Sequence, residues 1–149
     1  MRLTTRSRYG TRMVLDLARH GQDGLVRIED IAKRQDISAK YLEKLVRQLK
    51  GPGYIRSRRG PNGGHALTRP PDQITIGEIV RVLEGSPALV ECAENNGQCP
   101  RMHECVTHLA WMEVTKAMYE KLDSITVADL MAMEPPCDDS GFRKGASVG

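Results

Sequence analysis

The chain has 149 residues, of which only 4% are aromatic, so we expect a mainly aliphatic core. This length fits one domain of ordinary size, or a small domain with an oligomerisation arm. No apolar run approaches the roughly 18 residues that a membrane span needs, and no opening stretch has the pattern of a secretory signal. These features argue against an integral membrane protein and predict a cytoplasmic protein with no membrane partner.

The formal net charge of +3 hides a strong asymmetry along the chain. Residues 1–69 carry 16 Lys and Arg against 6 Asp and Glu, whereas residues 70–149 carry 6 against 13. An excess of positive charge confined to the front of a chain is typical of a surface that binds a polyanion such as nucleic acid. The alternative is two solvated surfaces of different charge.

Apolar residues spaced three and four apart predict three helices in the front part of the chain. The first covers about residues 4–20 and the second about residues 27–34. The third runs from the Ser38 cap to about Lys50, where Gly51, Pro52 and Gly53 end it. Two strand-like runs follow at residues 54–58 and 65–69, and the glycine-rich turn between them predicts a hairpin.

The rest of the chain is predicted to be helical with one long loop. Thr75 and Glu78 form a capping box for a fourth helix that ends at Gly85. Residues 86–103 have no regular pattern, and a long amphipathic helix then covers about residues 104–122, with a short helix at 127–133. This order predicts a mainly α fold with a small β-hairpin wing. We expect a winged helix-turn-helix domain at 1–85, a cysteine-bearing loop and long helix at 86–133, and a disordered tail at 134–149.

Two short helices joined by a tight turn and followed by a hairpin are the elements of a winged helix-turn-helix, whose second helix enters the major groove of DNA. The third predicted helix is therefore the candidate reader. Glu43 on it can accept a hydrogen bond from a cytosine amino group, which suits discrimination between bases. An ordinary solvated face is the alternative. The candidate DNA-contacting residues of this helix are Ser38, Ala39, Lys40, Tyr41, Glu43, Lys44 and Arg47.

The hairpin turn offers a second DNA contact. Arg58, Arg59 and Gly60 lie at a turn narrow enough to approach the minor groove, where the negative potential attracts guanidinium groups. Arg59 at the tip is the preferred candidate. A basic hairpin that touches only the DNA backbone is the alternative.

Three cysteines and one histidine form a cluster in the sequence. Cys92, Cys99, Cys105 and His108 lie within 17 positions, and the segment between the first two contains residues that favour neither strand nor helix. Thiolates bind zinc or iron-sulfur clusters, and cysteines near a helix N-terminus have a lowered pKa. The residues alone leave open a zinc site, an iron-sulfur site or unmetallated redox thiols. The fourth cysteine, Cys137, falls in the predicted tail and is expected to be a free thiol.

Several of these motifs together resemble the IscR and NsrR family of bacterial regulators. They are the opening residues 1–4, the helix start at 38–42, the wing sequence at 59–64, the cap at Thr75 and the cysteine cluster, and the resemblance covers about residues 1–130. It implies a transcriptional regulator that binds a palindromic operator in double-stranded DNA as a homodimer, with the long helix as the dimer contact. It also implies an iron-sulfur cluster on the three cysteines that controls operator binding and senses cluster supply or redox or nitrosative stress.

Two branches of this family differ in their cluster. Residues 105–111 resemble the IscR segment in which the histidine, here His108, is the fourth ligand of a 2Fe-2S cluster. The NsrR branch holds a 4Fe-4S cluster that reacts with nitric oxide and uses a carboxylate near the N-terminus, where this chain has Arg8. We therefore favour a 2Fe-2S cluster, although the interval between Cys92 and Cys99 is one residue longer than the IscR pattern.

A third class of function is an enzyme with a cysteine nucleophile and a histidine base. The paired carboxylates, oxyanion loop and phosphate cradle that accompany enzyme chemistry are missing from the sequence. We therefore expect a protein that is not an enzyme.

Overall fold

The computed structural model describes residues 3–85, 88–90, 92 and 99–133. Within these ranges the fold is mainly helical, with one two-stranded antiparallel sheet. In chain order the elements are α1 (Thr5–His20), α2 (Ile28–Gln35), α3 (Ala39–Lys50), β1 (Ile55–Arg58), β2 (Gly64–Leu67), a short 3-10 helix (Pro71–Gln73), α4 (Ile76–Glu84), α5 (Val106–Asp123) and α6 (Val127–Ala132).

Helices α2 and α3 form the predicted helix-turn-helix. Asp36 ends α2 in the left-handed conformation, with φ 53°, and this residue reverses the chain within three positions. Ser38 then caps α3 by accepting a hydrogen bond from the Tyr41 backbone N–H. Four side chains of α3 face the core, because apolar residues recur every three or four positions. They are Leu42, Leu45, Val46 and Leu49.

A buried ion pair joins α1 to this motif. The Asp16 carboxylate lies in the core and accepts hydrogen bonds from Arg34, at 2.6 Å, and from the Gln35 amide, at 2.8 Å. Burial raises the pKa of Asp16, but the hydrogen bonds from Arg34 and Gln35 and the charge of Arg34 outweigh it and hold the pKa below its usual value. The pair therefore fixes the end of α2, where the turn begins.

The hairpin is attached near its turn to the chain before α2. Ile55 pairs with Leu67 and Arg58 with Gly64, and an isolated bridge joins His65 to Val26 by two backbone hydrogen bonds of 2.8 and 2.9 Å. Gly64 has φ +155°, and a Cβ built there would lie 2.7 Å from the Val26 carbonyl oxygen. This approach is open only to glycine and sets the hairpin against the helix-turn-helix.

Helices α5 and α6 return to the first four helices. A short antiparallel bridge joins Thr75 to Thr126, and Arg81 of α4 donates to both carboxylate oxygens of Asp123 at 2.7 and 2.6 Å. The Arg81 guanidinium also lies over the Tyr119 ring, with 4.3 Å between its central carbon and the ring centroid. Tyr119 and Val127 belong to the same core cluster as α1–α4. The end of α5 is thus tied to α4, and α6 packs on α1.

The predicted fold class is confirmed, and the predicted elements differ from the structure mainly at their ends. The strands are shorter, at Ile55–Arg58 and Gly64–Leu67, and beyond them one backbone hydrogen bond of 3.1 Å still joins the Thr68 N–H to the Tyr54 carbonyl. The long helix begins at Val106 rather than near Glu104, since Cys105 has an extended backbone at the cap position. The tail at 134–149 and most of the loop at 86–98 lie outside the described residues. Within the described ranges, no helix is long and apolar enough to span a membrane.

Candidate DNA interface and cysteine site

One face of α3 is polar and open to solvent. We use the name reading face for the Ser38 cap and four exposed residues of the helix; Ala39 and Tyr41 lie beside it and are half-buried. In the described part of the chain, no lysine, arginine or glutamate of this face has a side-chain hydrogen bond or ion pair, so these groups are available to a ligand. The residues of the reading face are Ser38, Lys40, Glu43, Lys44 and Arg47.

A small aromatic cluster supports the start of α3. The Tyr41 ring meets the Tyr9 ring of α1 edge to face, with centroids 6.0 Å apart. The Arg12 guanidinium lies over the Tyr9 ring, 5.5 Å from its centroid, and donates to the backbone and side-chain oxygens of Gln35. These contacts hold Tyr41 in place beside the reading face. The sequence analysis did not identify Tyr9 or Arg12, although their spacing of three on α1 puts them on one helix face.

The arginines of the hairpin differ in what they contact. Arg59 is exposed and makes no hydrogen bond or ion pair with any residue that the structure describes. Arg58 donates from Nη2 to the Asn62 carbonyl at 2.7 Å and so closes the turn from inside. Gly60 has φ +106°, which lets the chain turn directly after Arg59. Arg59 is therefore the freer of the two predicted wing arginines.

Many other cations of the basic half are committed to the fold. Arg34 pairs with Asp16, Arg69 pairs with Glu78 at 3.2 Å, and Arg6 lies 3.6 Å from Glu84. The cations of the reading face and Arg59 have no such ion pair with a residue that the structure describes. A positive surface of this kind favours phosphate groups and binds less tightly as salt rises.

The three predicted cysteine ligands are free thiols of intermediate exposure. Cys105 occupies the cap position of α5, and its Sγ lies 3.1 Å from the Thr107 hydroxyl. This hydrogen bond, together with those from the backbone N–H groups of His108 and Thr107, lowers the pKa of the Cys105 thiol. A thiolate is the form that binds metals and reacts with oxidants.

His108 lies one turn into α5 and is the one buried polar residue of that helix. Its Nδ1 atom is buried and has no hydrogen-bond partner within the described ranges. A buried imidazole nitrogen without a partner is uncommon in folded proteins and suggests a missing ligand or metal. This observation was not available from the sequence.

The structure does not bring the four predicted ligands together. Among the described residues, no group of three or more His, Cys, Asp or Glu side chains lies close enough to hold a metal ion. Residues 93–98, which join Cys92 to Cys99, are outside these ranges. The donor set nevertheless fits an iron-sulfur cluster in chemistry, because three unpaired thiols and an unpartnered imidazole nitrogen are available within one short segment.

Helix α5 exposes apolar side chains along most of its length. Val106 is 78% exposed, Leu109 64% and Val114 50%, and Trp111 and Met112 are also exposed. Val106 and Val114 of this predicted amphipathic helix therefore stay outside the core of the single chain, whereas Met118 packs against it. A contiguous apolar surface of this kind indicates contact with another protein surface.

The helix-turn-helix, the bridged hairpin and the basic reading face together define a winged-helix DNA-binding protein. The comparison with known families gives the more specific assignment. Residues 3–133 match the Rrf2 family, whose description is iron-dependent transcriptional regulator. The chain belongs to this family and is a DNA-binding transcriptional regulator.

Curated relatives agree with this assignment. The chain is 55% identical over 131 residues to Protein rrf2 of Nitratidesulfovibrio vulgaris, a match that covers 88% of this chain and 87% of that protein. It is 37% identical over 131 residues to the transcriptional regulator IscR of Aliivibrio salmonicida, covering 88% of this chain and 77% of that one. The IscR relative is named as a regulator rather than an enzyme.

Solved structures show the same fold. T. potens IscR matches with a TM-score of 0.71 and 36% identity, over 89% of this chain and 87% of that one. CymR, the global cysteine regulator of B. subtilis, matches with the same TM-score and identity, over 89% of this chain and 97% of its own. The predicted resemblance to IscR-type regulators is confirmed, and CymR adds a similar protein whose name refers to cysteine.

Proposed function

We propose that this chain is a dimeric regulator whose operator binding depends on an iron-sulfur cluster held by Cys92, Cys99 and Cys105, with His108 as the fourth ligand. The observation that carries the proposal is the combination of an unpartnered reading face with three free thiols and an unpartnered His108 Nδ1 on the same chain. A 2Fe-2S cluster is favoured, since the ligand set includes a histidine. When bound, the cluster supplies a centre that can be gained, lost or oxidised in response to iron or redox conditions.

The reading face and the wing bind the DNA. Helix α3 enters the major groove, where Lys44 and Arg47 contact phosphates and Lys40 reaches a phosphate or a guanine acceptor. Glu43 accepts a hydrogen bond from a cytosine amino group and repels a misplaced phosphate, so it contributes selectivity more than affinity. Arg59 approaches the adjacent minor groove, with Arg58 and Gly60 shaping the turn beside it.

A second copy of the chain covers the apolar face of α5. The exposed side chains of Val106, Leu109 and Val114 would be removed from water in such a contact, and this burial favours association. A two-fold dimer places two reading faces on one side and matches a palindromic operator. Asp123 and Arg81 then tie the dimer helix of each chain to its own α4.

One further function has a specific observation in its favour. The Cys105 thiol has a lowered pKa and is not gathered with the other cysteines into a metal group within the described residues. A regulator that responds through reversible thiol oxidation, without iron, would use this feature. The structural similarity to CymR is consistent with it.

The test is to express and purify the full chain without oxygen and to measure its visible absorption, iron and acid-labile sulfide. The proposal predicts a coloured protein with iron and sulfide in equal amounts. Colourless protein with intact thiols supports the thiol regulator instead, and stoichiometric zinc supports a structural zinc site. A binding selection from random duplex DNA on the same sample then gives the operator, which is expected to be palindromic.

A further inference from the structure

Arg27 stands at the cap position of α2, but its side chain does not cap the helix. Cap positions favour short polar side chains, because these reach the free N–H groups of the first turn. Arginine is unsuited to this task. The local structure of α2 therefore gives no reason for an arginine here, and its partner lies elsewhere.

That partner is in the turn of the hairpin, residues 59–63, which we call the wing turn. The Arg27 Nη2 donates a hydrogen bond to the Pro61 carbonyl oxygen, 34 positions further along the chain. Within the described residues, no other side chain from outside the hairpin hydrogen-bonds to the wing turn. Its remaining hydrogen bonds are internal, from Arg58 to the Asn62 carbonyl and from the Gly63 N–H to the Gly60 carbonyl.

Among the described residues, no other hydrogen bond or ion pair joins the wing turn to α2. A cleft of about 310 Å³, lined by Arg27, Glu29, Arg58 and His65 among others, separates the start of α2 from the turn. The bridge between His65 and Val26 holds the end of β2 that lies next to the wing turn, but its two hydrogen bonds are at His65 and do not reach residues 59–63. The guanidinium of Arg27 therefore spans the cleft and limits the movement of the tip.

We infer that Arg27 is a positioning residue for the wing: it fixes the wing turn so that Arg59 is presented to the DNA, and it does so without itself contacting the DNA. This inference rests on the proposed role of Arg59 in DNA binding. Fixing a binding loop in advance increases affinity, because less conformational entropy is lost when the complex forms. Arg27 thus supports the DNA contact that Arg59 makes and makes no DNA contact of its own.

The first test needs no DNA. Arg27→Gln removes the guanidinium, and hydrogen exchange of the Gly63 amide is compared with that of the wild-type chain. We expect exchange at Gly63 to become faster while exchange in α3 is unchanged. The control is Lys33→Gln, which removes an exposed cation from the same helix and should leave the wing turn as it is. Unchanged exchange at Gly63 in Arg27→Gln would overturn the inference.

The second test is a double-mutant cycle on the highest-affinity duplex from the binding selection. Arg27→Gln is expected to weaken binding about fivefold, as for the loss of one pre-ordered side chain. In the Arg59→Ala background the same change should have no further effect beyond that of Lys33→Gln, because the contact it supports is already absent.

The outcomes separate the two claims. If Arg27 contacted a phosphate directly, its effect would persist in full in the Arg59→Ala background, and the salt slope would fall by about one there too. That result would overturn the positioning role of Arg27 and leave the role of Arg59 intact. If Arg59→Ala alone left the DNA affinity unchanged, the proposed contact of Arg59 with DNA would be wrong. Arg27 would then have no DNA contact to position.

Discussion

The DNA-binding part and the cysteine-bearing part of this chain differ in how many of their apolar side chains are buried and how many of their polar groups have partners. In α1–α4 most apolar side chains are buried and the buried carboxylate of Asp16 is paired, and Gln48 Oε1 is the buried side-chain atom that lacks a partner within the described ranges. In the cysteine-bearing part, the thiols of Cys92, Cys99 and Cys105 are unpaired, and in α5 His108 Nδ1 has no partner in the described ranges and Val106 and Leu109 are exposed.

This difference has a physical meaning. Exposed apolar side chains and buried polar atoms without a hydrogen-bond partner cost free energy unless something else covers or pairs them. The exposed apolar face of α5 and the buried, unpartnered His108 Nδ1 are therefore the reasons for proposing a bound group and a second copy at the back part. Arg81 and Asp123 join the two parts, so a change in the back part can reach the reading face through α4.

The largest expected effect is on the cysteine-bearing part alone. Cys92→Ser, Cys99→Ser and Cys105→Ser should each abolish the visible absorption of protein prepared without oxygen, because a cluster needs its thiolate ligands. Circular dichroism should show that the helices remain. Cys137→Ser is the control and should keep the colour. A coloured Cys105→Ser protein would remove that residue from the ligand set.

The apolar face of α5 gives the next effect. Leu109→Glu places one negative charge from each chain at the centre of the proposed dimer contact. It should weaken dimerisation by about 3 kcal/mol or more. Sedimentation across a range of concentrations measures this change. Lys116→Ala alters the same helix at a 67% exposed position and should leave the dimer intact. Equal dimer dissociation constants for the two variants would show that the dimer contact does not involve this face of α5.

Asp16→Asn tests whether the buried Asp16–Arg34 pair stabilises the DNA-binding part. Removing one partner of a buried ion pair costs about 3 kcal/mol of unfolding free energy, near the low end for such pairs, because Arg34 remains partly exposed. Urea unfolding measures the loss, and Asp23→Asn at an exposed turn is the control. A loss no larger than that of the control would show that the pair does not stabilise this part of the fold.

The same pair predicts a pH dependence. The pKa of Asp16 is lowered in the folded state, so its contribution is complete at neutral pH and is lost as the pH falls. The loss begins below the unfolded value of about 3.9 and is complete below the folded pKa. The stability difference between wild type and Asp16→Asn should therefore shrink on acidification. A difference that stayed constant down to the lowest accessible pH would contradict this reading.

The smallest effect concerns base selectivity. Glu43→Ala should cost little affinity but relax the preference at one base pair of each half-site by about 1–2 kcal/mol. A binding selection on both proteins measures this preference. An unchanged selected sequence would show that Glu43 is merely solvated.

The sequence predicted the front part well because its signals are local. Ser38, the Thr75 box and the glycines of the hairpin each specify a cap or a turn within a few residues. Arg27 and Arg12 were missed because their partners, Pro61 and Gln35, are distant in the sequence. The cysteine spacing indicated ligand chemistry, but it could not show the isolated His108 Nδ1, which depends on how α5 packs.

The central claim is that a group held by the cysteines changes how the reading face binds DNA. The most direct test measures the affinity of one oxygen-free preparation for its selected duplex before and after the cluster is removed with a chelator. The account predicts a change of at least about tenfold for the wild-type chain, as for a typical coupling between two sites, and no change for Cys105→Ser. Equal affinities of the filled and emptied wild-type protein would contradict it.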